Sequence, residues 1–392
     1  MRELEYTTMP MDRRDFLKTS TSSALAAAAA SAGLTAQTPP QPQTPAPPQP
    51  TTAVTAPGAG PTKLTEKDRL LRIASNSYAV RGLFKSRNTG RGGGGGQGAA
   101  MKQQYGEITM LDFPQFTKDT YPGVTHMDIF SSLMGDVTDD SMYARRPDGG
   151  PGTFDPSTPS GRKWLEQLAA KSASTGVKVH HISNNAPTNL ASTDDALRKE
   201  GVAIAKRWLD GCAVLGIRSM RMNSVTALGP ALRPQAIPRS SDGYPRNTDI
   251  VLPLAKAIES HKEMADHGGK LGIKVTIENH WGLAADPINM RIILDEVNHP
   301  YCEASPDFCN WEYEYMLVSG LKAVAPYAHT NVHAKYWDRW GEYNNVRRST
   351  KIMLAAGFKG TFALEYETGP LNGVEGSKFL FKEVMAALEE FA

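Results

Sequence analysis

Four residues carry the strongest chemical signal in this 392-residue chain: Glu278, Asp307, His333 and Glu365. They lie in Thr276-Ile277-Glu278-Asn279-His280, Ser305-Pro306-Asp307, Asn331-Val332-His333-Ala334-Lys335 and Ala363-Leu364-Glu365-Tyr366-Glu367, each at the end of a short strand-like run. The intervals of 29, 26 and 32 residues are about one strand-helix unit apiece, so consecutive strands can bring these side chains to one rim. Three carboxylates and one imidazole make a hard, oxygen-rich set with a charge of roughly −3. One divalent cation offsets that repulsion. The donor types favour Mn²⁺, with Mg²⁺, Co²⁺ or Zn²⁺ as alternatives, over a cysteine-type structural zinc site.

Such a rim needs strands and helices in strict alternation. From Lys63 onward, β-branched apolar runs alternate with longer segments of helical period, and eight candidate strands fall at 71–78, 125–130, 177–183, 217–223, 273–278, 301–307, 328–333 and 361–365. Glycines such as Gly176, Gly216 and Gly272 stand just ahead of a strand, where a left-handed cap closes the preceding helix. The segment 192–214 opens with Ser192-Thr193-Asp194-Asp195 and places Ala196, Val202, Ala205, Leu209 and Ala213 at helical spacing. The expected fold is α/β, a single-domain (β/α)8 TIM barrel over residues 68–392, with long loops on the C-terminal face of the strands. The loops expected there are 86–106, 134–160 and 227–249, and the polyglycine run 92–96 reads as a flexible insertion, not a phosphate loop that opens a helix.

Composition narrows the partners. Lys plus Arg is 43 and Asp plus Glu is 41, so a net charge of +2 gives no electrostatic footprint for nucleic acid. Cys212, Cys302 and Cys309 are too few for a disulfide framework. Nine prolines crowd into residues 39–61, and residues 37–67 read as a Pro-rich disordered linker. Ahead of it, Arg13-Arg14-Asp15-Phe16-Leu17-Lys18 and the Ala-rich stretch behind it resemble a twin-arginine export signal, residues 1–36, with cleavage after Ala32 or Ala36 and Met9 or Met11 as alternative starts. The apolar part is too short for a stable membrane span, which needs about 20 residues. The resemblance implies the twin-arginine export machinery as a partner and a periplasmic or secreted location. Homo-oligomerisation is left open.

Taken together, Ile-Glu278-Asn-His, Pro-Asp307-Phe, Val-His333-Ala-Lys335 and Gly360-Thr-Phe-Ala-Leu-Glu365-Tyr-Glu resemble the xylose isomerase-like TIM barrel superfamily, the sugar phosphate isomerase/epimerase group, over about residues 68–392. The resemblance implies a metal site of Glu278, Asp307, His333 and Glu365, with Glu278 and Glu365 also acting as the acid/base pair. Ketose 3-epimerases of this group carry a substrate-binding His three residues after the metal Asp, where this chain has Asn310. Their second Glu, six residues after the first, is Ala284 here, while the Arg six residues after the metal His has a counterpart in Arg339.

Lys335 and His280 each lie two residues beyond a ligand, on the same side of an extended strand; Lys335 is the third catalytic candidate and His280 a substrate contact. Trp281, Trp311, Trp337 and Trp340 follow the ligand segments and can stack on a sugar ring. Trp281 and Trp337, together with Asn310, Arg339, Arg221 and Asn76, complete the substrate-binding set; Tyr78, Arg81, His181 and Asn223 also fall near strand ends. The expected function is metal-dependent isomerisation or epimerisation of an unphosphorylated sugar or glycoside. An exported 3-keto-glycoside lyase or hydratase is the alternative. A non-catalytic carbohydrate-binding barrel ranks lower, as does an endonuclease IV-like hydrolase, which would need a His-rich multi-zinc cluster and a basic face.

Overall fold

In the computed structural model, which describes residues 64–85, 87, 95–144, 152–223, 249–280, 282–311 and 313–391, all eight expected strands form. They are β1 Ile73–Asn76, β2 His126–Phe130, β3 Lys178–Ser183, β4 Ser219–Arg221, β5 Lys274–Ile277, β6 Cys302–Ala304, β7 Asn331–Trp337 and β8 Thr361–Thr368. All neighbours pair in parallel, in the order β6-β5-β4-β3-β2-β1-β8-β7. The two end strands meet through single parallel bridges, Ala304 with Ala328 and Asp307 with His333. Two expected ligands thus form part of the seam that closes the (β/α)8 barrel.

Parallel strands covered by helices are buried on both faces and read as near-continuous apolar runs, which is why their existence is visible in the sequence. Two apolar clusters fill the barrel and its helical jacket. One includes Ile277, Ala304, Val332, Ala334, Phe362 and Leu364; the other includes Met127, Ile129, Val179, Ile182, Met220 and Val275. Each Val, Leu, Ile, Phe or Met among them, fully buried, contributes about 1.5–3 kcal/mol.

The helices end and start as their sequences dictate. Gly176 and Gly272 adopt φ of 76° and 71°, the left-handed conformation that lets the chain turn into β3 and β5. At the helix Asp195–Cys212, the Asp194 carboxylate accepts from the backbone N–H of Ala196 (2.8 Å) and Leu197 (3.3 Å). Its buried face holds Val202, Ala205 and Leu209 as expected, whereas Ala196 is exposed. Arg198 takes part in that buried face and donates to Glu259 (2.7 Å) and Glu263 (3.0 Å) on the helix Val251–Leu271.

Three differences from expectation matter. β7 and β8 run on to Trp337 and Thr368, so Lys335 and Glu367 are strand residues rather than loop residues. The polyglycine run does lead into a helix, Gly95–Tyr105, although no Lys-Ser/Thr pair follows it. A helix Glu66–Leu70, capped by Thr65, starts just ahead of the expected boundary at residue 68. The export signal, most of the Pro-rich segment and most of the loop at 227–249 lie outside the described residues. Among the described residues, no helix is long and apolar enough to cross a membrane.

Candidate active site

Hydrogen bonds from its own turn and from the neighbouring segments fix Asp307. Asn279, directly after Glu278, donates through Nδ2 to the Asp307 carbonyl (2.9 Å) and accepts from the Asp307 N–H (2.7 Å), locking the end of β5 to the segment after β6. Asp307 Oδ1 accepts from the N–H groups of Cys309 (2.6 Å) and Asn310 (3.1 Å), which turns the chain and leaves Oδ2 near His333 and Lys335. Across the seam, His333 N–H donates to Pro306 O (3.0 Å) and Phe308 N–H to His333 O (3.2 Å). On the other side of β7, Lys335 is the register partner of Glu365.

The four expected ligands come together. His333 Nδ1 lies 3.1 Å from Glu278 Oε2, 3.5 Å from Glu365 Oε2 and 3.8 Å from Asp307 Oδ2. His333 and Asp307 are completely buried, and Glu278 and Glu365 nearly so. Both His333 Nδ1 and Asp307 Oδ2 lack a hydrogen-bond partner, so the approach of Nδ1 to Glu278 is a close contact without hydrogen-bond geometry. Orphaned buried polar atoms are costly, roughly 1–3 kcal/mol each. A divalent cation would satisfy both. Glu278, Asp307 and His333 each offer an atom within 4.8 Å of the other two, and the hard oxygen donors with one imidazole fit Mn²⁺, Mg²⁺ or Co²⁺.

Two cations offset much of the negative charge that the sequence suggested. Arg221 Nη1 pairs with Glu278 Oε2, Nε donates to Asn184 O (3.1 Å) and Nη2 to Asn185 Oδ1 (2.6 Å). Lys335 Nζ lies 3.0 Å from Glu365, 3.1 Å from Glu367 and 3.5 Å from Asp307. Asn310 links the two systems, donating to Glu278 Oε1 (3.0 Å) and accepting from Lys335 (3.0 Å).

Burial raises the Glu278 carboxyl, but Arg221 and His333 outweigh it and hold the group well below the usual carboxylate range. Asp307 goes the other way, to about 7, because burial and the charges of Glu365 and Glu278 exceed the help from Lys335. Burial would lower Lys335, yet Asp307, Glu365 and Glu367 keep it well above its ordinary value and therefore cationic. His280 is pushed down to about 3, chiefly by burial, so it is neutral.

These groups open into a cavity of about 290 Å³ lined by Tyr78, Phe130, Ser183, Asn185, Arg221, His280, Asn310, Lys335, Trp337, Glu365 and Glu367. Larger cavities of about 710 and 550 Å³ lie on other surfaces, away from this convergence of titratable groups. Of the expected substrate contacts, Arg221, His280, Asn310 and Trp337 line the cavity. Asn76 instead caps the turn after β1, its Oδ1 accepting from Tyr78 N–H (2.8 Å) and Ala79 N–H (3.3 Å). The Arg339 guanidinium stacks on Trp337 (4.9 Å) and Trp340 (4.3 Å). Trp311 is wholly buried in the apolar core against Gly320, not on the cavity wall. Trp281 lies outside the described residues.

The sequence reading missed two acids. Glu367, two residues past Glu365 and so on the same face of β8, accepts from Tyr78 Oη (2.9 Å) and pairs with Lys335; the alternation rule could have found it. Asp128 on β2 is fully buried, with Oδ2 at 2.8 Å from His333 Nε2. A charged residue inside the apolar run His126–Phe130 was the available signal.

A model of the xylose isomerase-like TIM barrel family matches residues 147–390. No curated protein sequence matches the chain. Among solved structures, a xylose isomerase-like TIM barrel protein from Mycobacterium smegmatis, in complex with magnesium, is 19% identical with a TM-score of 0.52, covering 82% of this chain and 99% of that one. The 3-keto-D-glucoside 4-epimerase of E. coli is 12% identical with a TM-score of 0.52, over 80% and 99% of the two chains. An L-ribulose 3-epimerase is 13% identical with a TM-score of 0.52, over 81% and 95%. At these identities the likeness is one of fold.

Proposed function

The chain belongs to the xylose isomerase-like TIM barrel family, and from that premise we propose that it is an exported, divalent-metal-dependent isomerase or epimerase of an unphosphorylated sugar or glycoside. The observation that carries the reading is the pair of buried atoms without a hydrogen-bond partner, Asp307 Oδ2 and His333 Nδ1, facing Glu278 and Glu365 beside a polar cavity. Bound by those four residues, a divalent cation supplies positive charge to the oxygens that become negative when a proton leaves the carbon next to a carbonyl.

The chain's own groups divide the remaining work. Glu365 lines the cavity and is the first candidate for the base. Glu278, held ionised by Arg221, is the second member of the acid/base pair, and its low proton affinity makes it the weaker base. Lys335, kept cationic, donates to a substrate oxygen and cannot itself abstract a proton. Neutral His280 and Asn310 offer hydrogen bonds to hydroxyls, and Trp337 and Phe130 offer apolar faces to a sugar ring.

The cavity favours an uncharged ligand. Its two cations already face three carboxylates, Arg221 on Glu278 and Lys335 on Glu365 and Glu367, so neither is left free to hold a phosphate. Its volume, about 290 Å³, is at the small end of ligand sites and suits a monosaccharide-sized group. The sugar epimerases among the fold neighbours are in keeping with that class.

Lyase or hydratase action on a 3-keto-glycoside is the second reading. It needs a proton donor for a leaving group, and Tyr78, whose hydroxyl faces the cavity on Glu367, is placed for it. Proton NMR in D₂O with free sugars and 3-keto-glycosides separates the two: exchange at one carbon with isomer formation supports epimerisation, and loss of the aglycone supports elimination. Metal analysis of the purified protein tests the common premise. A chain that holds no divalent ion and works without one would sink both readings.

A further inference from the structure

We propose that Asp128 is a positioning residue for this centre: from β2, across the barrel, its carboxylate holds the His333 ring by Nε2 and thereby points Nδ1 at Glu278, Asp307 and Glu365. The inference rests on the metal reading of the site. Its geometry is independent of that reading.

A carboxylate completely buried in the barrel interior is tolerable only when its oxygens are fully engaged. Asp128 meets that condition with three donors: Ser183 Oγ to Oδ1 (2.7 Å), Asn331 Nδ2 to Oδ2 (3.0 Å) and His333 Nε2 to Oδ2 (2.8 Å). An ionised carboxylate can only accept, so Nε2 must carry a hydrogen whatever the charge of the ring. That leaves Nδ1 as the nitrogen facing the acids, 3.1, 3.5 and 3.8 Å from Glu278, Glu365 and Asp307. Rotation of the ring would break the bond to Asp128 and carry Nδ1 out of the group.

Asp128, His181 and His333 could themselves be taken for an inner cation site, since each offers an atom within 4.8 Å of the others and His181 Nε2 is buried without a partner. The hydrogen bonds argue against it. Both oxygens of Asp128 already accept from donors, and Nε2 of His333 is committed to the same carboxylate. The structure therefore assigns Asp128 to orientation rather than ligation.

The test uses the full chain labelled with ¹⁵N-histidine, free of metal, together with Mn²⁺ titration followed by electron paramagnetic resonance. In the wild type, the Nε2-bound proton of His333 should resonate far downfield and exchange slowly. Asp128→Asn, which keeps an acceptor oxygen but removes the charge, should move that signal upfield and weaken Mn²⁺ binding about 10-fold, the lower end of the usual 10–100-fold cost of disturbing an outer partner of a metal-binding histidine. Ser183→Ala, which removes one donor and leaves the charge, covers the case in which the asparagine variant does not fold; it should shift the proton upfield and weaken Mn²⁺ binding by less. Wild-type affinity in a folded Asp128→Asn protein overturns the proposal, as does an Nε2 without a proton, or an unchanged proton and affinity in Ser183→Ala. Two Mn²⁺ per chain, one of them lost in His181→Ala, also overturns it, because Asp128 would then be a ligand. A wild type that binds no Mn²⁺ sinks the metal reading instead, and the proton signal still decides whether Asp128 holds the ring.

Discussion

The two halves of the barrel divide their labour. β5 to β8 deliver Glu278, Asp307, His333, Lys335, Glu365 and Glu367, side chains that meet one another around the cavity. β2 to β4 deliver Asp128, Ser183 and Arg221, which touch the same centre by holding its members: Asp128 and Ser183 on His333, Arg221 on Glu278. The difference shows that a ring of eight similar units need not distribute chemistry evenly. One arc can carry the convergent acids while the other holds them by hydrogen bonds and charge.

If that division is real, changes in the first arc should cost activity and changes in the second should cost affinity, stability or pH range. Glu365→Gln should lower kcat about 10²–10⁴-fold while the circular dichroism spectrum and the melting temperature stay near those of the wild type; an active variant removes Glu365 from its assigned role. Chelation should abolish turnover, and Mn²⁺ should restore it and raise Tm in a concentration-dependent way. Activity that survives exhaustive chelation contradicts the metal assignment.

Arg221→Met is the sharper probe of the supporting arc. It leaves a buried Glu278 without its cation, a change that costs about 3–5 kcal/mol when one partner of a buried pair is removed. Urea denaturation should report that loss. The comparison breaks if Arg221→Met unfolds no more readily than the wild type but loses as much kcat as Glu365→Gln.

The smallest expected effect lies away from the cavity, in the supporting arc. His126 on β2 and His180 on β3 meet edge to face, with ring centres 4.8 Å apart. Burial lowers both, His180 to about 3. A histidine whose folded pKa lies below its unfolded value of about 6.5 leaves the native state unwilling to take a proton that the unfolded chain accepts. Its contribution is therefore intact above about pH 6.5 and is lost as pH falls toward 3. Urea midpoints at pH 7.5, 5.5 and 4.5 should fall more steeply in the wild type than in His180→Gln; parallel curves would remove His180 as a source of acid sensitivity.

Much of this was legible in the chain itself. Apolar runs at regular spacing announced eight strands because parallel strands bury both faces, and the glycines ahead of them marked helix ends because a left-handed cap favours glycine. Glu278, Asp307, His333 and Glu365 were readable because each falls at the end of its own short apolar run, a local fact. Trp311 and Asn76 were misplaced for the complementary reason. Residue type and nearness to a strand end are the same for a tryptophan in the core and one on a cavity wall, or for an asparagine that caps a turn and one that binds a ligand.

The sequence by itself determined the kind of fold, the order of its elements and four side chains that the barrel brings to one rim, since periodicity and position in an apolar run are encoded within a few residues. Only the tertiary structure decided which groups restrain them. Asp128 reaches His333 across the barrel, Arg221 meets Glu278 from the neighbouring strand, and Lys335 is drawn between Glu365 and Glu367 by the register of β7 on β8. Those contacts depend on a sheet that brings β1 beside β8 and closes at Asp307 and His333. Pairing between distant segments leaves no local trace, because the energy that selects it comes from packing and hydrogen bonds made once the chain has closed on itself.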